Sequence, residues 1–183
     1  MYEDEDIVNR IASESTFSKQ DIRSMLEKCK EDYPSGTLTK DDFASLFSES
    51  FHQKNAAAFS ELLYNVFDKD NDGSVDFVEL LCGLALFSEG ATYEELLNLA
   101  FEICDLNKDG TVDLKELVNF IASVYALHPS KRKQSKQLAQ EDARRLYAKM
   151  SRNRKVRVKQ PEFTRIISKD PFGRYIVKLL SGE

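Results

Sequence analysis

The sequence predicts an all-α fold of two lobes. Each lobe is a pair of helix–loop–helix units whose loops meet as short antiparallel strands, and a further helix follows at about 172–181. Three observations predict it. Loop-like segments begin at Glu31, Asp68, Asp105 and Ser151, the first three 37 residues apart and the last after a step of 46. Apolar residues three or four apart flank these segments, the period of an amphipathic helix. Each segment also carries an aliphatic residue at its eighth position: Leu38, Val75, Val112 and Val158. Facing side chains of this kind stabilise a strand pair, so Leu38 is expected opposite Val75 and Val112 opposite Val158. The lobes are then residues 1–88 and 89–183.

Two of the loops, 68–79 and 105–116, share one order of side chains. Asp68, Asp70, Asp72, Ser74, Asp76 and Glu79 hold positions 1, 3, 5, 7, 9 and 12 around Gly73. Asp105, Asn107, Asp109, Thr111, Asp113 and Glu116 hold the same positions around Gly110. A calcium ion takes about 6–8 hard oxygen ligands, and this spacing wraps a short loop around one ion. The acids at positions 1, 3 and 5 (Asn107 at position 3 of the second) supply alternating oxygens, position 7 lends a main-chain carbonyl, position 9 acts through water, and the glutamate closes the shell with two oxygens. Glycine at position 6 suits a turn that is costly for a residue with a Cβ. A polar Asp/Asn/Gly turn alone would be common. Two complete matches at the repeat step, with helical flanks, make an EF-hand pattern and two Ca2+ sites the expectation.

The other two loops keep the frame and lose the ligands. In 31–42, Gly36, Leu38 and Asp42 remain, but Tyr33 stands at position 3, Pro34 stiffens the turn, and Asp42 is one methylene shorter than glutamate. A hairpin with little or no calcium affinity is expected, with weak Mg2+ binding as the alternative. In 151–162, Lys155, Val156 and Lys159 replace the acid at 5, the glycine and the residue at 9, while Val158 and Glu162 are retained. Cations where a metal needs carboxylates abolish the site.

The helices follow from their stripes. Phe59, Leu62, Leu63, Val66 and Phe67 enter loop 68–79, and Phe77, Leu80, Leu81, Leu84 and Phe87 leave it. Thr92 and Glu95 form a capping box ahead of Leu96, Leu99, Phe101 and Ile103. Leu114, Leu117, Val118, Ile121 and Val124 leave the second loop. Ile22, Met25 and Leu26 precede the first silent loop, and Leu138, Leu146, Tyr147 and Met150 the last. Residues 128–137 read as a basic linker. Phe172, Tyr175/Ile176 and Leu179/Leu180 are expected on one face of the terminal helix, either as a fixed part of the core or as an occupant of a groove that a target displaces.

Composition narrows the function. The chain has 183 residues, 42% of them hydrophobic, and no Trp; no apolar run is long enough to span a membrane. Tyr2 follows Met1 where N-myristoylation needs glycine. Cys29, Cys82 and Cys104 sit in apolar helical contexts and read as reduced core residues of a cytoplasmic protein. Residues 1–127 hold 26 acidic and 10 basic side chains, residues 128–183 only 5 acidic and 16 basic. That basic quarter, Lys131, Arg132, Lys133 and Lys136 above all, allows weak contact with an anionic membrane as well as the plainer reading of a solvated face. Nucleic-acid binding is not expected, because no aromatic residues interleave the charges. His52 and His128 lie in unrelated contexts, and no nucleophile or phosphate-cradling motif is present, so no catalysis is expected.

Over roughly residues 16–170 the chain resembles the neuronal calcium sensor (recoverin and frequenin) and calcineurin-B-like group. Tyr33-Pro34-Ser35-Gly36 is similar to the Cys-Pro-x-Gly of the disabled first loop in neuronal sensors, and the stretch from Asp76 to Ser88 resembles a calcineurin-B-like exit helix. Tyr2 and the basic fourth loop depart from that pattern. The resemblance implies a calcium sensor whose lobes form an apolar groove for the amphipathic helix of a target; a cytoplasmic place, with peripheral membrane contact through the basic quarter, and a phosphatase, a kinase or a membrane protein as candidate partners complete the expectation. A calcium buffer and a constitutive light-chain-like subunit with structural calcium are the alternatives.

Overall fold

Helices begin where a side chain takes the main-chain N–H groups that a first turn leaves without partners. The computed structural model describes residues 2–14, 17–51, 57–85, 92–127, 136–151 and 157–180. In it α1 (Tyr2–Glu14) precedes Ser18, whose hydroxyl accepts the Asp21 N–H and opens α2 (Lys19–Asp32). Thr92 and Glu95 form the expected reciprocal box ahead of α6 (Tyr93–Cys104). The same exchange closes three loops. The Asp76 N–H donates to Glu79 and the Glu79 N–H to Asp76, at 3.0 and 2.8 Å, opening α5 (Phe77–Ala85). Asp113 and Glu116 repeat it at 2.8 Å each for α7 (Leu114–Leu127). Thr39 and Asp42 do so for α3 (Lys40–Phe51). Positions 9 and 12 are therefore a helix cap as well as a pair of candidate ligands. Lys159 has no such side chain, and α9 (Gln160–Ile167) starts on Pro161 without a side-chain cap.

The remaining helices are α4 (Ala57–Phe67), α8 (Lys136–Met150) and α10 (Pro171–Leu180). The strands β1 (Thr37–Leu38) and β2 (Val75–Asp76) pair antiparallel with Leu38 opposite Val75. Strands β3 (Thr111–Val112) and β4 (Val158–Lys159) pair with Val112 opposite Val158. All four position-8 side chains are buried. Each loop with the complete ligand spacing is thus zipped to one whose sequence departs from it.

Packing follows the repeat. Phe43, just after the first silent loop, stands edge-on to Tyr64 of α4 at 5.5 Å, and Phe163 stands edge-on to Phe101 of α6 at 5.4 Å. Tyr64 goes further: its buried hydroxyl donates at 3.1 Å to the Leu38 carbonyl and lies 2.9 Å from the Gly73 carbonyl. Helix α4 is buried on nearly every side, the pattern of a helix enclosed by neighbours. It packs on α3 and α5 of its own lobe and on α6 and α7 of the other.

Helix α1 is an element the stripes did not reveal. It lies on α2 and α5, burying Val8 and Ile11, and Glu5–Arg23, Asp4–Lys30 and Asn9–Lys19 contacts tie it to α2. Two expected stripes hold at Phe77, Leu80, Leu81 and Ile176 but each has one exposed member. Leu84 is 38% exposed, because Gly83 is the residue against α4: a Cβ there would fall 2.4 Å from the Phe67 ring. Tyr175 is 49% exposed while Val177 is buried, because Gly173 sits so close to Ile167 that a Cβ would meet its carbonyl at 2.6 Å. Helix α10 buries Ile176 and Val177 on the C-terminal lobe, packing on α6, α7 and α9. In α8, Ala139 and Ala143 join Leu146, Tyr147 and Met150 in the buried stripe, and Leu138 is half-buried. Cys104 is buried, Cys29 and Cys82 are half-buried, and none of the three forms a disulfide. The proposed lobe boundary at 88/89, Phe87, His52, residues 128–135 of the basic linker with His128, positions 152–156 of the fourth loop, and residue 181 of the terminal helix lie outside the described residues.

Replacing Tyr64 with Phe should lower stability by about 1–3 kcal/mol, the penalty for leaving buried carbonyls short of a donor. Urea unfolding in chelator measures it, and Tyr175→Phe, at an exposed hydroxyl, should stay within about 0.5 kcal/mol of the wild type.

Candidate metal centre

The first candidate loop runs from the end of α4 through β2 into α5. Its backbone turns through the left-handed region at Asn71 (φ 60°) and Gly73 (φ 87°), which is why glycine serves at position 6. That turn points successive N–H groups at the loop's own acids. The Gly73 N–H donates to Asp68 Oδ2 at 3.1 Å, the Asp72 N–H to Asp70 at 3.1 Å, and the Ser74 N–H to Asp72 at 2.7 Å. The Lys69 and Asp70 N–H groups donate to Glu79 Oε1 at 2.7 and 3.3 Å, drawing the position-12 carboxylate back over the start of the loop. Oxygens of Asp68, Asp70 and Glu79 consequently lie within 4.8 Å of one another.

Asp68 supplies the test of fit. It is only 7% exposed, and its Oδ1 is buried without a hydrogen-bond partner among the described residues. A buried carboxylate oxygen in that condition carries a desolvation penalty that a cation relieves. Two further carboxylates converge beside it, so the donor set is one of hard oxygens, suited to Ca2+ and not to soft-ligand metals. Asp72 stands at the rim of the loop, its acid strengthened by hydrogen bonds from the Ser74 hydroxyl and N–H. Asp76 is committed to the Glu79 cap, and Ser74 turns its hydroxyl to Asp72, leaving its main-chain carbonyl as the candidate donor.

The second loop, between α6 and α7, repeats the turn and its hydrogen bonds, but among the described residues only the first loop gathers three carboxylates within 4.8 Å. Lys108 (φ 54°) and Gly110 (φ 79°) make the left-handed turn. Asp105 accepts the Asp109 and Gly110 N–H groups at 3.1 and 2.8 Å, Asn107 accepts from Asp109 at 3.0 Å, and Asp109 accepts from Thr111 at 2.9 Å. Asp105 and Glu116 are each 6% exposed. Burial pushes the Glu116 carboxyl above its ordinary range, with Asp113 and Asp105 adding like-charge repulsion against the main-chain hydrogen bonds that oppose it. Burial also pushes the neighbouring Cys104 thiol well up, so it stays protonated.

Three residues that spacing did not nominate touch these loops. Arg157, from the fourth loop just ahead of β4, forms an ion pair with Asp109. Lys69 pairs with Glu102 of α6 at 3.0 Å, and Lys108 crosses to the Asp68 carbonyl at 2.6 Å. In the first silent loop, Asp42 is occupied by the Thr39 N–H and hydroxyl at 2.9 and 2.7 Å, which hold its acid below the usual range.

A family model for the EF hand matches residues 97–121, which take in the third repeat's loop with most of α6 and the first half of α7. The calcium-binding protein NCSA of Dictyostelium discoideum is 30% identical over 120 residues, 66% of this chain. The chain spans 63% of that relative's length. With paired helix–loop–helix units, a carboxylate cluster shaped for a hard cation and an EF-hand match at residues 97–121, the chain has the fold of EF-hand lobes, and calcium is the cofactor that its site suits.

Proposed function

We propose that the chain is a calcium sensor of the neuronal calcium sensor type, with one ion in each of two loops. Asp68, Asp70, Asp72, Ser74, Asp76 and Glu79 are the ligands of the first, and Asp105, Asn107, Asp109, Thr111, Asp113 and Glu116 those of the second. The observation that carries the reading is the unbonded, buried Asp68 oxygen facing Asp70 and Glu79. Calcium, when bound, supplies positive charge to these carboxylates. The chain's own part is mechanical. Glu79 and Glu116 lie in the first turns of α5 and α7 and are bonded to loop main chain, so a change in either carboxylate is transmitted to an exit helix. Helix α5 carries the half-exposed Leu84 and lies against α1. Movement there alters the apolar surface offered to the amphipathic helix of a target, for which a phosphatase, a kinase or a membrane protein is the candidate class. We place it in the cytoplasm and assign it no catalytic role.

A second reading has its own observation. Helices α1 and α10 already bury Val8, Ile11, Ile176 and Val177 on the two lobes, as in a constitutive subunit or a buffer whose faces stay covered. Calorimetric calcium titration with magnesium present, read beside an apolar dye, separates the two. A sensor should take up two ions in the range of about 10⁻⁷–10⁻⁵ M with rising dye fluorescence. Two ions with a flat dye signal would abandon groove opening in favour of the second reading.

The same titration checks the ligands. Glu79→Gln and Glu116→Gln should each remove one equivalent, while Asp42→Ala and Glu162→Ala should leave the stoichiometry at two. Arg157→Gln, which frees Asp109 from an internal cation, should tighten the second loop by about two- to fivefold, the scale of an exposed ion pair. Weaker binding in that variant would show instead that Arg157 holds Asp109 in place for the metal.

A further inference from the structure

The two calcium loops belong to different lobes, yet they touch through lysines. Lys108 holds position 4 of the second loop. Its ammonium donates at 2.6 Å to the main-chain carbonyl of Asp68 and at 2.5 Å to the side-chain oxygen of Asn71, which holds position 4 of the first. Lys69 reaches the other way to Glu102 at 3.0 Å. Together they bracket a cavity of about 250 Å³ also lined by Val66, Phe101, Asp105 and Gly110.

We propose that Lys108 is a positioning residue for the first calcium site, so that occupancy of the second loop is felt by the first. The inference rests on the two-site reading above. Lys108 touches no candidate ligand atom. It grips the backbone of Asp68, the position-1 ligand whose Oδ1 lies buried and unbonded. It also grips the amide of Asn71, one of the loop's two left-handed residues. On its own side Lys108 is held by the turn: its N–H donates to the Asp105 carbonyl at 3.2 Å, and the next N–H, that of Asp109, donates to Asp105 and Asn107. Ligands of the second loop therefore fix the backbone from which Lys108 extends, and Lys108 fixes the backbone that presents Asp68. Ordering one loop lowers the entropic cost of ordering the other, which is positive coupling without a shared ligand. An ammonium near the first site also repels calcium, but it sits in an exposed position where solvent and salt screen that repulsion. The positional effect is expected to win.

A thermodynamic cycle tests this. Calcium affinity of the first loop is measured by calorimetry in wild type, Glu116→Gln, Lys108→Met and the double variant, with circular dichroism confirming helix content. In the wild-type background, disabling the second loop should weaken the first by at least about fivefold, a typical allosteric coupling. In the Lys108→Met background the same change should stay within about twofold. Asn71→Gly removes the acceptor while tolerating the left-handed backbone and should reproduce the loss of coupling. Equal weakening in both backgrounds, or none in either, overturns the proposal. A wild-type stoichiometry below two overturns the two-site reading itself, and shows before any variant is made.

Discussion

An EF-hand loop is a device for holding carboxylates close together, and like charges held close need a scaffold that does not yield. Here the scaffold is the two-residue strand pair. Leu38 against Val75 and Val112 against Val158 are buried contacts made by short stretches of backbone, and two strands alone would be marginal. What makes them firm is the aromatic layer beneath. Phe43 with Tyr64 and Phe163 with Phe101 join each silent repeat to its working partner, and Tyr64 bonds main-chain carbonyls on both sides of the first pair. The persistence of the loops without ligands has a mechanical cause: without them the working loops would lose both a strand and half of an apolar floor.

Much of this was legible in the sequence because it is local or periodic. Loop spacing, strand register and the Thr92–Glu95 box each depend on residues within a dozen positions or on a constant repeat step. The stripes were read well where side chains make the contact, and single positions differ beside two close-packed glycines. Gly83 and Gly173 let helices approach so closely that their own faces turn inward, which carries Leu84 and Tyr175 outward. A pattern that counts apolar side chains has no term for a residue that packs by lacking one. Helix α1 was hidden differently: Ile7, Val8 and Ile11 form too short a stripe, among acids whose use appears only when Arg23 and Lys30 arrive from α2.

Contacts that reach the loops from other repeats were not legible, and their common feature is sequence distance. Arg157 meets Asp109, and Lys108 meets Asp68 and Asn71, across repeats. Spacing identifies ligands because one loop must supply them all; it is silent about cations delivered by another repeat. The excess of basic residues after position 127 takes on a partial explanation here. Arg157 serves the acidic second loop, and Lys149 serves the buried Asp170 that caps α10.

Position 4 is where such a cross-lobe contact could arise without harm. The side chains proposed as ligands at 1, 3, 5, 9 and 12 are used within their own loop, in turns, caps and carboxylate pairs, and Gly73 and Gly110 at position 6 have no side chain to offer. Position 4 is left-handed in both working loops, at Asn71 and Lys108, a conformation that asparagine tolerates better than most residues and that lysine accepts at some cost in strain. That cost is tolerable where the neighbouring turn is held by the Asp105 carboxylate and carbonyl. The geometry that makes room for an ion thus also frees one side chain per loop, and in this chain the two freed side chains meet each other.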